Sequence, residues 1–208
     1  MPLNGKMEPA LVQLPPSTIA FLYQSGLEHI GQAYRAAASA MSEAARDAEA
    51  ASISYLKSGQ DDSVYEVEDG QSILVSSTQH ELEYARLEVA FSLTAVREAF
   101  IISSFHYWEK WARSLTKLNG RKDTFNVVKR HLAKDYAVHD QLYELNHLTN
   151  LLKHGSGATY HALSLAKVRP DLFSRLPEGG DGWAVSLSDD TVQEALKIVS
   201  ASGPNYDA

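Results

Sequence analysis

The sequence predicts a mainly all-α protein, a long antiparallel helical hairpin packed with shorter helices. Three observations predict it. Two stretches of some forty residues each repeat apolar side chains at steps of three and four. A short segment with an Asp-Gly turn lies between them, and several brief helical periods bounded by capping residues, glycine or proline follow.

The first helix is predicted from Ser17 or Thr18, which cap it, to about Lys57, where Ser58-Gly59 stops it. Its seam runs Tyr23, Leu27, Ile30, Tyr34, Ala37, Met41, Ala44, Ala48, Ala51 and Tyr55. Steps alternating between four and three make a narrow heptad seam, which needs a second long helix against it. Asp69-Gly70, between Val64–Val67 and Ile73–Val75, predicts a small β-hairpin or an ordered loop. Thr78-x-x-Glu81 reads as the capping box of the second long helix. One face of that helix passes through Leu82, Ala85, Val89, Val96, Phe100, Tyr107, Trp111, Leu115 and Leu118 to a stop at Asn119-Gly120.

Shorter helices are expected from Asp123 or Thr124 with Phe125, Val128 and Leu132 inward, and from Asp140 to His154 with Leu142, Leu145, Leu148 and Leu152 inward. A third covers Tyr160 to Lys167. Pro177–Gly182 reads as a loop and Trp183–Leu187 as one short strand near the C-terminus. A last helix, capped by Asp189 or Asp190, runs through Ile198. The expected organisation is an N-terminal arm over 1–16, a single helical domain over 17–200 and a tail over 201–208, frayed from Gly203 onward.

Composition excludes several classes. With 208 residues, 44% hydrophobic and 22% charged, the chain suits a folded core. It has no cysteine, which rules out disulfides, thiolate nucleophiles and cysteine-bound zinc. No apolar run reaches the roughly 18 residues of a membrane span, and no apolar signal segment follows the N-terminus, so a cytoplasmic protein without a membrane partner is expected. Net charge is −7, unevenly placed. Eleven acids between Glu43 and Glu88 face three basic residues, whereas Glu109 to Lys134 carries eight basic residues against Glu109 and Asp123. That segregation marks either a polyanion site or a stretch that pairs with the acidic one, in the same chain or a partner. A heptad seam too long for the later helices to cover predicts a homodimer.

The candidate chemistry lies in Asn146-His-Leu-Thr-Asn150-Leu-Leu-Lys153-His154-Gly-Ser-Gly157. Asn146, Asn150 and His154 are spaced four apart and share one helix face, apart from the leucines. His154 at the helix end, beside Lys153, either binds phosphate or shuttles a proton, or else caps the last carbonyls while the asparagines bond to a neighbouring helix. Glu109, amid Tyr107, Trp108 and Trp111, is expected to pair with Lys153 or His154, in a structural or a site role. No two histidines at i, i+4 have an acidic third, so no metal is expected, and no phosphate loop or dinucleotide fingerprint points to a cofactor.

Asn150-x-x-Lys-His-Gly-x-Gly with Arg169-Pro-Asp-Leu-Phe173, preceded by Arg97-Glu-Ala-Phe and Phe-His-Tyr-Trp-Glu109-Lys, resembles a group of functionally uncharacterised bacterial proteins. Over residues 78–175 it also resembles, more loosely, the HEPN superfamily. The resemblance implies a helical, commonly dimeric domain of a kind that includes many metal-independent ribonucleases of toxin and phage-defence systems. The superfamily's pattern sets an arginine four to six residues before a histidine, the arginine often followed by Asn. With His154 as that histidine, Asn150 matches the Asn, and Thr149 stands where the arginine would be. Leu148 and His147, at the longer spacings, are not arginine either. A transition state that gathers charge on phosphate oxygens needs a fixed cation, which threonine does not supply. The expected function is therefore a HEPN-like protein binding RNA, a nucleotide or a protein partner, with a degenerate catalytic motif. The alternatives are a ribonuclease using His154 as acid–base group with Asn150 positioning phosphate, and an interaction protein using the long-helix seam.

Overall fold

The computed structural model describes residues 14–175 and 182–206, so most of the expected arm, most of the Pro177–Gly182 loop and the last two tail residues lie outside the described residues. The protein is mainly helical, and its two long helices are antiparallel. α1 spans Pro16–Ser58 and α2 Thr78–Thr116. Between them β1 (Val64–Glu68) and β2 (Gln71–Ser76) form the hairpin, with Asp69 at φ 51° and Gly70 at φ 78°. Positive φ at both central residues is what a two-residue turn matching strand twist requires. α3 (Phe125–Leu132), α4 (Leu142–His154), α5 (Thr159–Ala166), β3 (Phe173–Arg175), β4 (Ala184–Val185) and α6 (Asp189–Ser200) follow. β3 pairs with β4, so the single strand expected near the C-terminus has a partner in the residues after Arg169-Pro-Asp-Leu. No described helix is long and apolar enough to cross a membrane.

The chain divides into two compact units, Ala33–Arg97 and the residues on either side of it, and α1 and α2 pass through both. In Ala33–Arg97 the α1 seam holds Tyr34 and Ala38 buried and Met41, Ala44 and Ala48 half-buried, then steps to Ser52, leaving the expected Ala51 exposed. α1 ends as expected, with Gly59 at φ 66°. α2 begins with a different cap. The Ser77 hydroxyl accepts the His80 N–H at 3.1 Å, while Thr78 bonds away from the helix through its N–H (3.1 Å) and hydroxyl to the Asp62 carboxylate. Asp62 also accepts the Tyr55 hydroxyl at 2.5 Å, joining the end of α1 to the start of α2.

In the other unit α2 is apolar on more than one side. Ile101, Phe105, Trp108 and Ala112 are buried, whereas Tyr107 and Trp111, expected inward, are half-buried and pack on Tyr23 of α1, each with ring centroids 5.6 Å from it. Gly26 makes room for Tyr107, whose hydroxyl donates to the Tyr23 carbonyl at 2.8 Å. α2 stops before Asn119-Gly120, because Lys117 takes the left-handed conformation (φ 57°) and Arg113 donates to the Leu118 and Asp123 carbonyls. α6 is capped by Ser188 in a reciprocal bond with Thr191. The aspartates at 189 and 190 instead occupy its first turn, where their charge suits the helix N-terminus. Residues 203–205, expected to fray, are held together with Ser202. Ser202, Gly203 and Pro204 are buried, and the Gln24 amide donates to the Ser200 and Pro204 carbonyls and to Asn205.

Candidate functional site

α4 is a thirteen-residue helix whose leucines at 142, 145, 148 and 151 are buried; Leu151, rather than the expected Leu152, continues the inward face. Thr149 joins them at 1% exposure. The helix ends at His154 because Gly155 adopts φ 54° and its N–H closes on the Leu151 carbonyl. A short 3₁₀ turn, Gly155–Ala158, then reverses the chain, and α5 returns against α4.

That reversal builds a feature absent from the sequence expectations. His161 of α5 meets His147 of α4, Nδ1 to Nδ1, at 2.9 Å. Two neutral imidazoles at that separation form one hydrogen bond, one Nδ1 donating and the other accepting. His147 is buried at 3% exposure, and its Nε2 has no hydrogen-bond partner among the described residues. Tyr143 sets its edge on His147 with centroids 4.5 Å apart, and Tyr160 lies 5.7 Å away. Burial, then the neighbouring His161, pushes the His147 pKa down; burial, then His154, does the same for His161. The Tyr143 phenol is raised, first by its hydrogen bond with Tyr160. A polar residue at 147, between Leu145 and Leu148 on the buried side, is the sequence signal for this pair.

The expected residues fall as follows. Asn146 and Asn150 do share a face, but the Asn150 amide bonds back to the Asn146 carbonyl at 2.8 Å and to its side-chain oxygen at 3.2 Å, not across to another helix. His154 and Lys153 are exposed, and neither side chain makes a hydrogen bond or ion pair among the described residues, so His154 does not cap the helix carbonyls. Glu109 pairs on its own helix, with Arg113 at 2.8 Å and His106 at 3.3 Å, instead of reaching Lys153 or His154. Side chains four residues on and three residues back are simply its nearest neighbours on a helix. Thr149 points into the core, away from the face that carries Asn150 and His154.

Arg169 of the Arg-Pro-Asp-Leu-Phe segment is structural. Its guanidinium binds Glu194 of α6 through two nitrogens (2.9 and 3.0 Å) and Asp171 at 2.9 Å. Beside it a cavity of about 20 Å³, bordered by Glu144, Arg169, Thr191 and Glu194, has room for no more than a water. No group of three or more His, Asp or Glu among the described residues is arranged to hold a metal. The chain matches no known family model, no curated protein and no solved structure.

Proposed function

We propose that the protein binds single-stranded RNA along the cationic stretch Lys110–Lys134 and at the His154 end of α4, without efficient cleavage. The observation that carries the reading is the run of uncompensated cations. Of its eight basic residues only Arg113 has a carboxylate partner among the described residues; Lys110, Lys117, Arg121, Lys122, Arg130 and Lys134 are exposed and unpaired there. Exposed lysines and arginines release counterions when they meet phosphates, so affinity falls with salt. Lys153 and His154 add a cation and an imidazole at the carbonyl end of a helix. Cleavage is the weaker reading because the position of the superfamily's arginine is occupied by a core threonine. Lysine offers a flexible point charge and lacks the arginine fork.

Titration of a labelled RNA oligonucleotide into wild type and a Lys122→Glu/Arg130→Glu variant tests this. Wild-type binding should weaken steeply with salt, and the variant should bind at least about tenfold more weakly at low salt with a shallower salt slope. Equal binding by the two would remove the cationic stretch from consideration. One observation favours a second reading, a metal-independent ribonuclease of a toxin or phage-defence system: the reversal at Gly155–Ala158 returns His161 toward the His154 end of α4, and burial first, then His154, push the His161 pKa down, which suits that imidazole to accept a proton. Rapid wild-type cleavage lost in both His154→Ala and His161→Ala would establish it.

A further inference from the structure

The unit Ala33–Arg97 has almost no interior. Only Tyr34, Ala38, Ser52 and Ser77 are buried in it, while eleven large apolar side chains stay exposed, led by Val67 (75%), Phe91 (73%) and Tyr84 (63%). Two features account for most of these. The hairpin is exposed at every residue of both strands, and an isolated two-stranded hairpin is marginal in water. On α2, Tyr84, Leu87 and Phe91 stand at i, i+3 and i+7, one stripe of the helix, distinct from the half-buried seam of Leu82, Ala85, Val89 and Val96. Within the stripe Tyr84 stacks on His80 of its own helix, ring centroids 4.8 Å apart, and all three stripe side chains stay more than half exposed.

We propose that a second copy of this chain covers the surface, β2 pairing antiparallel with β2 across a two-fold axis and the α2 stripes packing on each other. Area fits this occupant. Six of the eleven side chains, Ile73, Leu74 and Val75 of β2 and Tyr84, Leu87 and Phe91 of α2, lie on the elements that pair. At roughly 60–120 Å² each, the range implied by 1.5–3 kcal/mol for burying one at 25 cal/mol per Å², they present about 500 Å², to which the paired strand edges and flanking side chains add. A stable interface takes about 800 Å² from each partner. The strand edges also favour a copy of the same chain. β2, Gln71-Ser-Ile-Leu-Val-Ser76, carries no charge and no proline, so it can meet its own copy with no like charges opposed. β1 carries Glu66 and Glu68, which would face their own copies and so protect that edge. The unit holds eleven acids against five basic residues, so two copies repel at low salt and associate more tightly as salt rises. A basic heterologous partner would behave in the opposite way.

The test uses the full chain and reads mass, so its failure is separate from any failure of RNA binding. Sedimentation across micromolar concentrations should give twice the 22.9 kDa of one chain for wild type, with dissociation reduced by added salt. Tyr84→Lys/Phe91→Lys should weaken the dimer at least about tenfold while leaving helical circular dichroism intact, since both positions are exposed in one copy. In a chain without cysteine, single Ser72→Cys, Ile73→Cys and Leu74→Cys variants should give a disulfide-linked dimer at one position or more. A wild-type monomer throughout, an unchanged dimer in the double lysine variant, or no crosslink at all three positions would overturn the proposal.

Discussion

The Nδ1 atoms of His147 and His161 stand 2.9 Å apart, on two helices whose reversal is set by Gly155. Two neutral imidazoles share one proton at that separation, and burial first holds both below their ordinary pKa of about 6.5. The fold thus favours their neutral forms. The contribution to stability is complete above that value and is lost as pH falls through the lowered pKa values, where a second proton breaks the shared bond. Melting temperature should therefore drop between neutral pH and pH ~5, and His147→Phe should flatten that dependence. Identical slopes for the two proteins would show that the pair does not couple to folding.

Thr149 decides whether an arginine can be accommodated four residues before Lys153 on α4. Its side chain is 1% exposed and its hydroxyl has no partner among the described residues. Thr149→Arg should not confer cleavage; burying an unpaired guanidinium there should destabilise by about 3 kcal/mol or more. Thr149→Val removes an unsatisfied hydroxyl at nearly constant volume, so it should change stability by less than ~1 kcal/mol, in the stabilising direction. Denaturant midpoints for the two variants provide the comparison.

At Gly26 an added Cβ would overlap the Tyr107 hydroxyl. The ring cannot swing aside, because it stacks on Tyr23 and its hydroxyl is bonded to the Tyr23 carbonyl. Gly26→Ala should cost about 1–3 kcal/mol. Gly157→Ala meets nothing within 4 Å and should be tolerated to within ~0.5 kcal/mol. Equal urea midpoints for the two would contradict this account of Tyr107.

Hydrogen bonds from Thr78 and Tyr55 hold the Asp62 carboxyl at about 2, below its ordinary value. A depressed carboxylate stabilises the folded form above its ordinary pKa and ceases to as pH falls toward 2. Asp62→Asn removes the charge at neutral pH and weakens the three bonds through which Asp62 joins α1 to α2. Limited proteolysis should then cut between residues 59 and 77 several times faster than in wild type, with residues 85–115 still resistant. An unchanged cleavage rate would mean that the hairpin segment is held without Asp62.

The long elements are legible because each rests on a local signal: the repeated steps of the α1 seam, the Asp69-Gly70 turn, the Gly59 stop. The expectations fail where a neighbouring residue competes for the same role. Ser77 takes the cap expected of Thr78 because Asp62 engages Thr78, and Ser188 caps α6 ahead of Asp189. Lys117 ends α2 early because Arg113 satisfies the carbonyls beyond it. Of the candidate site, the common face of Asn146 and Asn150 and the exposed end at His154 follow from spacing alone. His161 cannot be read that way, since fourteen residues and a reversal separate it from His147. Glu109 finds both of its partners on its own helix, where spacing alone favours a contact over any distant cation.

The Tyr23 hydroxyl donates to the Val199 carbonyl at 2.6 Å, across 176 positions of sequence. During synthesis α1 emerges early, yet the carbonyl that anchors it is made long afterwards. The Ala33–Arg97 hairpin closes through contacts much nearer in sequence, so it can assemble while translation continues. The unit built on Tyr23 must wait until residues 199–205 have been made, and through that interval the apolar side of α1 is open to whatever chaperone the nascent chain meets.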